Sequence, residues 1–235
     1  MILTRAHGAN THAYTPTQAA TGDERQGAGT LRGVKTTIRT AGPAATAAVA
    51  AQLADAFASD PVMCWIWPDT GQRRVGMRRL FAAQLRYHHV PNGGVQYVAD
   101  PPGEVLGSAV WDPPGHGEPR TATTLRSVPA LVAALGTRIR PALALRAALD
   151  GKHPSTPHWY LNKIGTAPQV RGQGVGAALL VSRLRHCDQT RTDAYLECTR
   201  EETIGYYERH GFTVTQQIQV PGRGPSLWGM LRRPS

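Results

Sequence analysis

The stretch Trp159 to Leu184, WYLNKIGTAPQVRGQGVGAALLVSRL, constrains the fold more than any other part of the chain. Trp159 to Ile164 is an apolar run of strand length, and Gly165 to Gln169 breaks it. A glycine-rich turn, Arg171-Gly172-Gln173-Gly174-Val175-Gly176, then opens a helix. Ala177, Leu180, Val181 and Leu184 recur at i, i+3, i+4 and i+7, which predicts one apolar helical face. A strand ending in a glycine turn at a helix N-terminus is a ready anion site. The first amides of the helix have no intrahelical acceptor, and the helix dipole adds positive potential. Glycine also lets the main chain approach a pyrophosphate without Cβ collisions.

The rest of the chain sets the context for that turn. At 235 residues, 41% of them hydrophobic and 18% charged, it is long enough for one globular domain with a sizeable core. Residues 1–33 are rich in Thr, Ala, Gly and Gln without apolar periodicity and are expected to form a disordered tail, leaving residues 34–235 as the domain. The net charge of +10 comes mostly from scattered arginines, with no run of like charges, so a nucleic-acid arm is not indicated. Such a surface would still steer an anionic coenzyme. Cys64, Cys187 and Cys198 are odd in number and widely spaced, which matches neither a disulfide framework nor a zinc site. No histidine stands in metal-ligand spacing with a cysteine or a carboxylate, and His88-His89 reads as surface or core. The N-terminus has no apolar signal region and no stretch approaches eighteen uninterrupted apolar residues, so a cytoplasmic protein without a membrane partner, monomeric or homodimeric, is expected.

Taken in order, Val34–Arg39 predicts a strand, and a helix begins at Pro43 with Val49, Leu53, Ala56 and Phe57 on its buried stripe. A longer helix is expected over Gln72–His89, with Met77, Leu80, Phe81, Gln84, Leu85 and His88 sharing one side. Val95–Ala99 and Val105–Trp111 read as strands around the Pro101-Pro102-Gly103 turn. Two helical stretches, Ser127–Leu135 and Pro141–Leu149, lead back to the central strand. After the glycine-turn helix come a strand (Ala194–Cys198), a short helix (Ile204–Arg209) and a closing hairpin of Thr213–Val220 with Ser226–Leu231. Helical and hairpin connections together imply an α/β (α+β) class with a mixed sheet of about six to seven strands.

Arg171-x-x-Gly174-x-Gly176 resembles the acyl-CoA signature of the GNAT N-acetyltransferase superfamily. Tyr195-Leu196-Glu197-Cys198-Thr199 and Tyr206-Tyr207-Glu208-Arg209-His210-Gly211-Phe212 resemble the strand and the helix that follow that signature. Within the superfamily the wording is most similar to the puromycin N-acetyltransferase-like branch, firmly from Trp159 onward. The resemblance implies a GNAT fold, acetyl-CoA as co-substrate and a direct, ternary-complex transfer of an acetyl group to a primary amine.

It also implies roles for individual residues. The main chain of Ile164, Gly165 and Thr166 would pair with the pantetheine arm. Arg171 and the amides of Gly172, Gln173, Gly174, Val175 and Gly176 would hold the pyrophosphate. Tyr207 resembles the tyrosine that protonates the departing coenzyme-A thiolate, with Tyr206 a core residue beside it. Glu197 takes the position of a glutamate able to accept the amine proton. Thr203 stands where many relatives carry a coenzyme-contacting asparagine. Trp65, Trp67, Trp111 and Trp159 are candidates for an aromatic acceptor pocket, Trp111 foremost because it ends a strand next to a loop. Three functions are consistent with these residues: acetylation of a small, antibiotic-like or toxic amine, acetylation of a protein N-terminus or lysine, and non-catalytic acyl-CoA binding. The tryptophans and inserted helices of the N-terminal half favour the first, and the retention of both Glu197 and Tyr207 disfavours the last.

Overall fold

The computed structural model describes residues 28–31, 34–115 and 121–235. In chain order the elements are β1 (Ala28–Leu31), β2 (Val34–Thr40), α1 (Thr46–Ala56), α2 (Pro61–Ile66), α3 (Thr70–Gln84), β3 (Val95–Ala99), β4 (Val105–Asp112), α4 (Thr121–Leu135), α5 (Ile139–Leu149), β5 (His158–Thr166), α6 (Val175–Gln189), β6 (Asp193–Cys198), α7 (Ile204–Glu208), β7 (Thr213–Gln219) and β8 (Ser226–Arg232). Asp60 starts α2 by accepting from the amides of Val62 and Met63 at 2.9 and 3.1 Å, ahead of Pro61 in the first turn. Asp69 starts α3 by accepting from Gln72 at 2.7 Å.

The strands form one sheet in the order β1-β2-β3-β4-β5-β6-β8-β7. β5 and β6 run parallel, joined through α6, and the other neighbours are antiparallel. β2 to β8 match the expected mixed sheet, and β1 extends it. Ala28–Leu31, expected within the tail, pair with β2 as a strand, and residues 1–27 and 32–33 lie outside the described residues.

Helices cover both faces. α1, α2, α3 and the α4–α5 segment close a core of Leu53, Ile66, Met77, Phe81, Leu85, Val95 and Val110. On the other face α6 and α7 close a core containing Leu179, Leu180, Leu184, Leu196, Phe212 and Met230. Glycine permits the closest approaches: a Cβ on Gly165 would lie 2.7 Å from the Ala56 Cβ, and one on Gly107 2.8 Å from Val175 Cγ1. Two expectations shift here. The buried face of α6 is Val175, Leu179, Leu180, Leu184 and Cys187, with Ala177 and Val181 only half-buried, because the sheet meets the helix one residue round from the predicted stripe. The helix expected over Gln72–His89 ends at Gln84 and continues as a π-turn, Leu85–His89, which buries His89 rather than His88. The stretch Arg126–Leu149 is long and apolar enough by composition to cross a membrane, with mean hydropathy 1.3 and 6% of that window buried. Pro129, Gly136 at φ 51° and Arg138 interrupt it.

Two irregularities in β5 position the site. Val110 pairs with Lys163 but Trp111 with Leu161, so Asn162 is an extra, bulged residue. The bulge resets the alternation: Leu161 packs into the α6-side core, and Lys163 turns to the opposite face over the Phe81 ring, 5.2 Å from its centroid. Pairing with β6 stops at the same place. It runs from His158–Asp193 to Leu161–Leu196, after which β5 follows β4 and β6 follows β8. The sheet therefore opens between Asn162–Thr166 and Glu197–Cys198.

Candidate active site

The glycine turn has the geometry an anion requires. Gly172 and Gly174 adopt φ of 73° and 86°, the left-handed region that side chains other than glycine rarely tolerate. Gly174 is the N-cap of α6, and the first helical bond closes at Ala178 N–H to Gly174 C=O, 2.9 Å. The amides of Val175, Gly176 and Ala177 thus open the helix without acceptors from its first turn. A Cβ at Gly172 would meet nothing within 4 Å, so the turn is open on its outer side. Arg171 is exposed beside it, and Gln173 is exposed and braces the turn by donating to the Gln169 carbonyl at 2.9 Å. Val175 is 3% exposed and packs on β4, which leaves its amide as its contribution.

The unpaired edge of β5, carrying Ile164, Gly165 and Thr166, leads straight to this turn. The Thr166 methyl lies 3.5 Å from the position a Cβ would take on Gly176, and the Tyr206 hydroxyl 3.9 Å from it. Tyr206, expected as a core residue, is half-buried and its hydroxyl reaches the start of α6. Thr203 is more committed than expected: its hydroxyl donates to the Arg200 carbonyl at 2.9 Å and touches Cys198 Sγ at 3.0 Å.

Glu197 sits one residue past the last β5–β6 pair, at the mouth of the opening. Its side chain is 4% exposed and faces away from α6. Tyr160 donates to Glu197 Oε2 at 2.5 Å, and His153 Nε2 approaches Oε1 at 3.2 Å. Burial, then the Glu197 charge, hold the Tyr160 phenol far above its ordinary range, so it stays a donor. Tyr195, two residues before Glu197, donates to the Lys152 carbonyl at 3.3 Å, which ties the loop bearing His153 to β6. Tyr207 lies across the same opening on α7. Its ring packs edge-on against Tyr206 and Phe212 at 5.2 and 6.0 Å. Burial raises its phenol, with Cys198, Tyr206 and Asp60 adding to the effect, so it keeps its proton until a strong base arrives. Its hydroxyl has no hydrogen-bond partner among the described residues.

A second group of histidines and a carboxylate lies on the Glu197 face. Asp112, 2% exposed at the end of β4, receives His89 Nδ1 at 2.8 Å, His88 Nε2 at 3.1 Å and Asn162 Nδ2 at 3.3 Å. Along the chain no histidine has metal-ligand spacing, but in space the ligand atoms of His88, His89 and Asp112 all lie within 4.8 Å of one another. Burial lowers His89 to about 4, against the pull of Asp112, so its imidazole is neutral at pH 7. Burial opposes ionisation of Asp112, but the bonds from His88 and His89 outweigh it and hold the carboxyl well below its usual range. Lys163 donates to Asn162 Oδ1, and burial lowers its amine to about 8 although Asp112 pulls the other way.

The tryptophans correct the expected pocket. Trp111 is fully buried in the α6-side core; both faces of β4 are covered, so the position of the residue at a strand end does not expose it. Trp67 is 2% exposed and lies against Gly76 of α3, where a Cβ would come within 2.6 Å of its Cε2. It borders a groove of about 510 Å³ between α3 and α4 that includes neither Glu197 nor Asp112. Trp159 stacks under Arg183, 4.2 Å from its guanidinium. Trp65 keeps partial exposure on α2, whose cap Asp60 accepts from Thr199 at 2.6 Å, two residues beyond Glu197. Sequence reasoning missed Tyr160, His153, Asp112 and Lys163 as partners. Alternation could have put Tyr160 on one face of β5, but not opposite Tyr195, because parallel register is set by the crossover.

Residues 131–214 match the acetyltransferase (GNAT) domain family. An uncharacterized N-acetyltransferase of Schizosaccharomyces pombe is 28% identical over 182 residues, 73% of this chain and 72% of its own. The crystal structure of a histone acetyltransferase HPA2 and related acetyltransferase from Corynebacterium glutamicum superposes with a TM-score of 0.67, at 28% identity over 85% of this chain and 97% of that one. A polyamine N-acetyltransferase of Drosophila melanogaster shares the fold, with a TM-score of 0.54 at 18% identity over 84% and 99% of the two chains. Residues 131–214 therefore carry a GNAT acetyltransferase domain, and the chain is an acyltransferase. Acetyl-CoA is its co-substrate.

Proposed function

We propose that the chain transfers the acetyl group of acetyl-CoA directly to the primary amine of a small molecule, with Glu197 accepting the amine proton and Tyr207 protonating the departing thiolate. The observation that carries this reading is the buried Glu197 carboxylate at the point where β5 and β6 part, held by Tyr160. Acetyl-CoA supplies an activated thioester. The chain must then remove one proton from the attacking ammonium and return one to the leaving sulfur. Glu197 and Tyr207 lie on opposite faces of the sheet beside the end of β6. Covering of Glu197 by helices and by the loop of His153 favours a small acceptor over a lysine on a folded protein. The resemblance to antibiotic acetylases supports an aminoacyl-type amine such as that of puromycin. All three cysteines are unpaired, which fits a reducing, cytoplasmic setting.

The test is acetyl-CoA turnover against puromycin, aliphatic polyamines, and peptides offering a lysine or a free N-terminus. Small amines should turn over and peptides should not; peptide-only activity would transfer the assignment to protein acetylation. In Tyr207→Phe the ring packing is kept and kcat should fall about 10²–10⁴-fold, the usual scale for one proton-transfer group, with KM for acetyl-CoA little changed. Glu197→Gln should penalise an aliphatic amine of pKa near ~10 far more than an α-amine near ~8. Rates within about threefold of wild type for both variants would leave the two residues structural.

A further inference from the structure

We propose that His153 and His158 form the exit by which the proton accepted at Glu197 returns to solvent. The proposal rests on Glu197 as the base and deepens that reading. A carboxylate with its side chain 4% exposed cannot hand its proton to bulk water directly, yet it must be emptied before each new amine. Tyr160 already donates to Oε2, so Oε1 is the oxygen that receives the proton, and it faces His153 Nε2 at 3.2 Å. His153 is 34% exposed. Its Nδ1 lies 3.4 Å from His158 Nε2, and His158 Nδ1 lies 2.7 Å from the Thr156 carbonyl.

Counting protons along this row identifies its task. The Thr156 carbonyl only accepts, so His158 Nδ1 carries a hydrogen. The contact between the imidazoles needs one more, and the contact of His153 with Glu197 a third. Two neutral imidazoles and an ionised carboxylate hold only two. With every contact made, the row therefore contains one extra proton, as a carboxylate–imidazolium pair or a carboxylic acid beside a neutral ring. Without that proton, one contact of the row faces acceptor against acceptor; Glu197 Oε1 itself is buried with no hydrogen-bond donor aligned on it, the His153 ring lying 3.2 Å away but out of line. The unloaded row therefore gains a hydrogen bond by accepting a proton from the substrate ammonium. The N–H bond of the amine breaks, Oε1 or Nε2 gains the hydrogen, and an exposed imidazole releases it to water.

The surroundings hold His153 in line. Its ring packs against Tyr160 and Tyr195 at 4.5 and 5.0 Å between centroids, and against His158 at 5.6 Å. The Lys152 carbonyl, one residue earlier, accepts from Gln216 at 2.6 Å. Among the described residues, the titratable groups facing His153 include Glu197 and Tyr195 on β6, and Tyr160 and His158 on β5. Burial holds both phenols protonated, which leaves the two histidines to move protons.

The experiment compares wild type, His153→Ala, His153→Gln, His158→Ala and Glu197→Gln, each checked for folding by thermal melting. With an aliphatic amine, His153→Ala should lose roughly ten- to a hundredfold in kcat without a change in KM for acetyl-CoA, and His158→Ala less. Added imidazole should restore the His153→Ala rate, and the acidic limb of its pH profile should move. If Glu197→Gln is impaired while both His153 variants keep wild-type rates and pH profile, the relay fails and the base stands. A folded His153→Ala that is slow but indifferent to imidazole and pH also overturns it, as a packing role. If Glu197→Gln is itself unimpaired, the base assignment fails and the relay with it.

Discussion

Asp112 and Glu197 end neighbouring parts of the same sheet face, Asp112 buried beside two histidines and Glu197 beside one, yet their hydrogen-bond donors differ. Asp112 receives His88, His89 and Asn162, three donors that neutral side chains supply in full. Glu197 receives Tyr160 at Oε2, while Oε1, 3.2 Å from the His153 ring, has no hydrogen-bond donor aligned on it. Satisfied, a buried polar network rigidifies the fold; short of one hydrogen, it remains ready to bind one. With Glu197 as the proposed base, burial and residue type do not distinguish a scaffold from a working carboxylate. The count of donors does.

The largest expected difference is in stability. Asp112→Ala strands its buried donors and should cost about 3–5 kcal/mol by urea denaturation. Glu197→Gln keeps shape and a hydrogen-bonding end and should stay within about 1 kcal/mol of wild type while losing rate. Equal destabilisation of the two would erase the distinction. Acid titration comes next. The unfolded chain protonates a histidine near ~6.5, whereas folded His89 resists until about 4. Between these values the unfolded state binds more protons, so stability falls as pH is lowered, by on the order of 3 kcal/mol for this group. Denaturation curves in His89→Asn should lose that slope; an unaltered slope would mean the imidazole is not held neutral. The smallest effect sharpens the scaffold side. Folded Lys163 releases its proton near 8 rather than 10.5, so the buried charge destabilises the protein at neutral pH. Lys163→Met should gain about 1 kcal/mol at pH 7, less the lost bond to Asn162, and the gain should shrink as pH rises towards 10, where the wild-type amine is neutral when folded. A loss of stability at pH 7 would show that the ammonium supports Asp112.

What was legible beforehand was local. The strand, glycine turn and helix from Trp159 to Leu184 lie next to one another in the chain, so periodicity and turn chemistry were enough to place them. The start of α6 therefore came out as read, while β5 runs on to Thr166, two residues past the Ile164 at which the strand is expected to end. The stripe on α6 was read one residue round, because Leu179 and Leu180 are adjacent and either could head it. Trp111 was misjudged because a strand covered on both faces carries no alternation to read.

The order of the polypeptide by itself determined the glycine turn proposed to hold the coenzyme, since such a turn is made by consecutive backbone amides. Only the tertiary structure decided which side chains surround Glu197. Tyr160 meets it through the parallel register of β5 with β6, and His153 reaches it from a loop that Tyr195 and Gln216 tie to the sheet. Asp112 and the His88-His89 pair likewise meet across 23 residues, joined by a π-turn and a strand end. Hydrogen bonds act over about 3 Å in space whatever the separation along the chain, so a network of them is a property of the packed sheet.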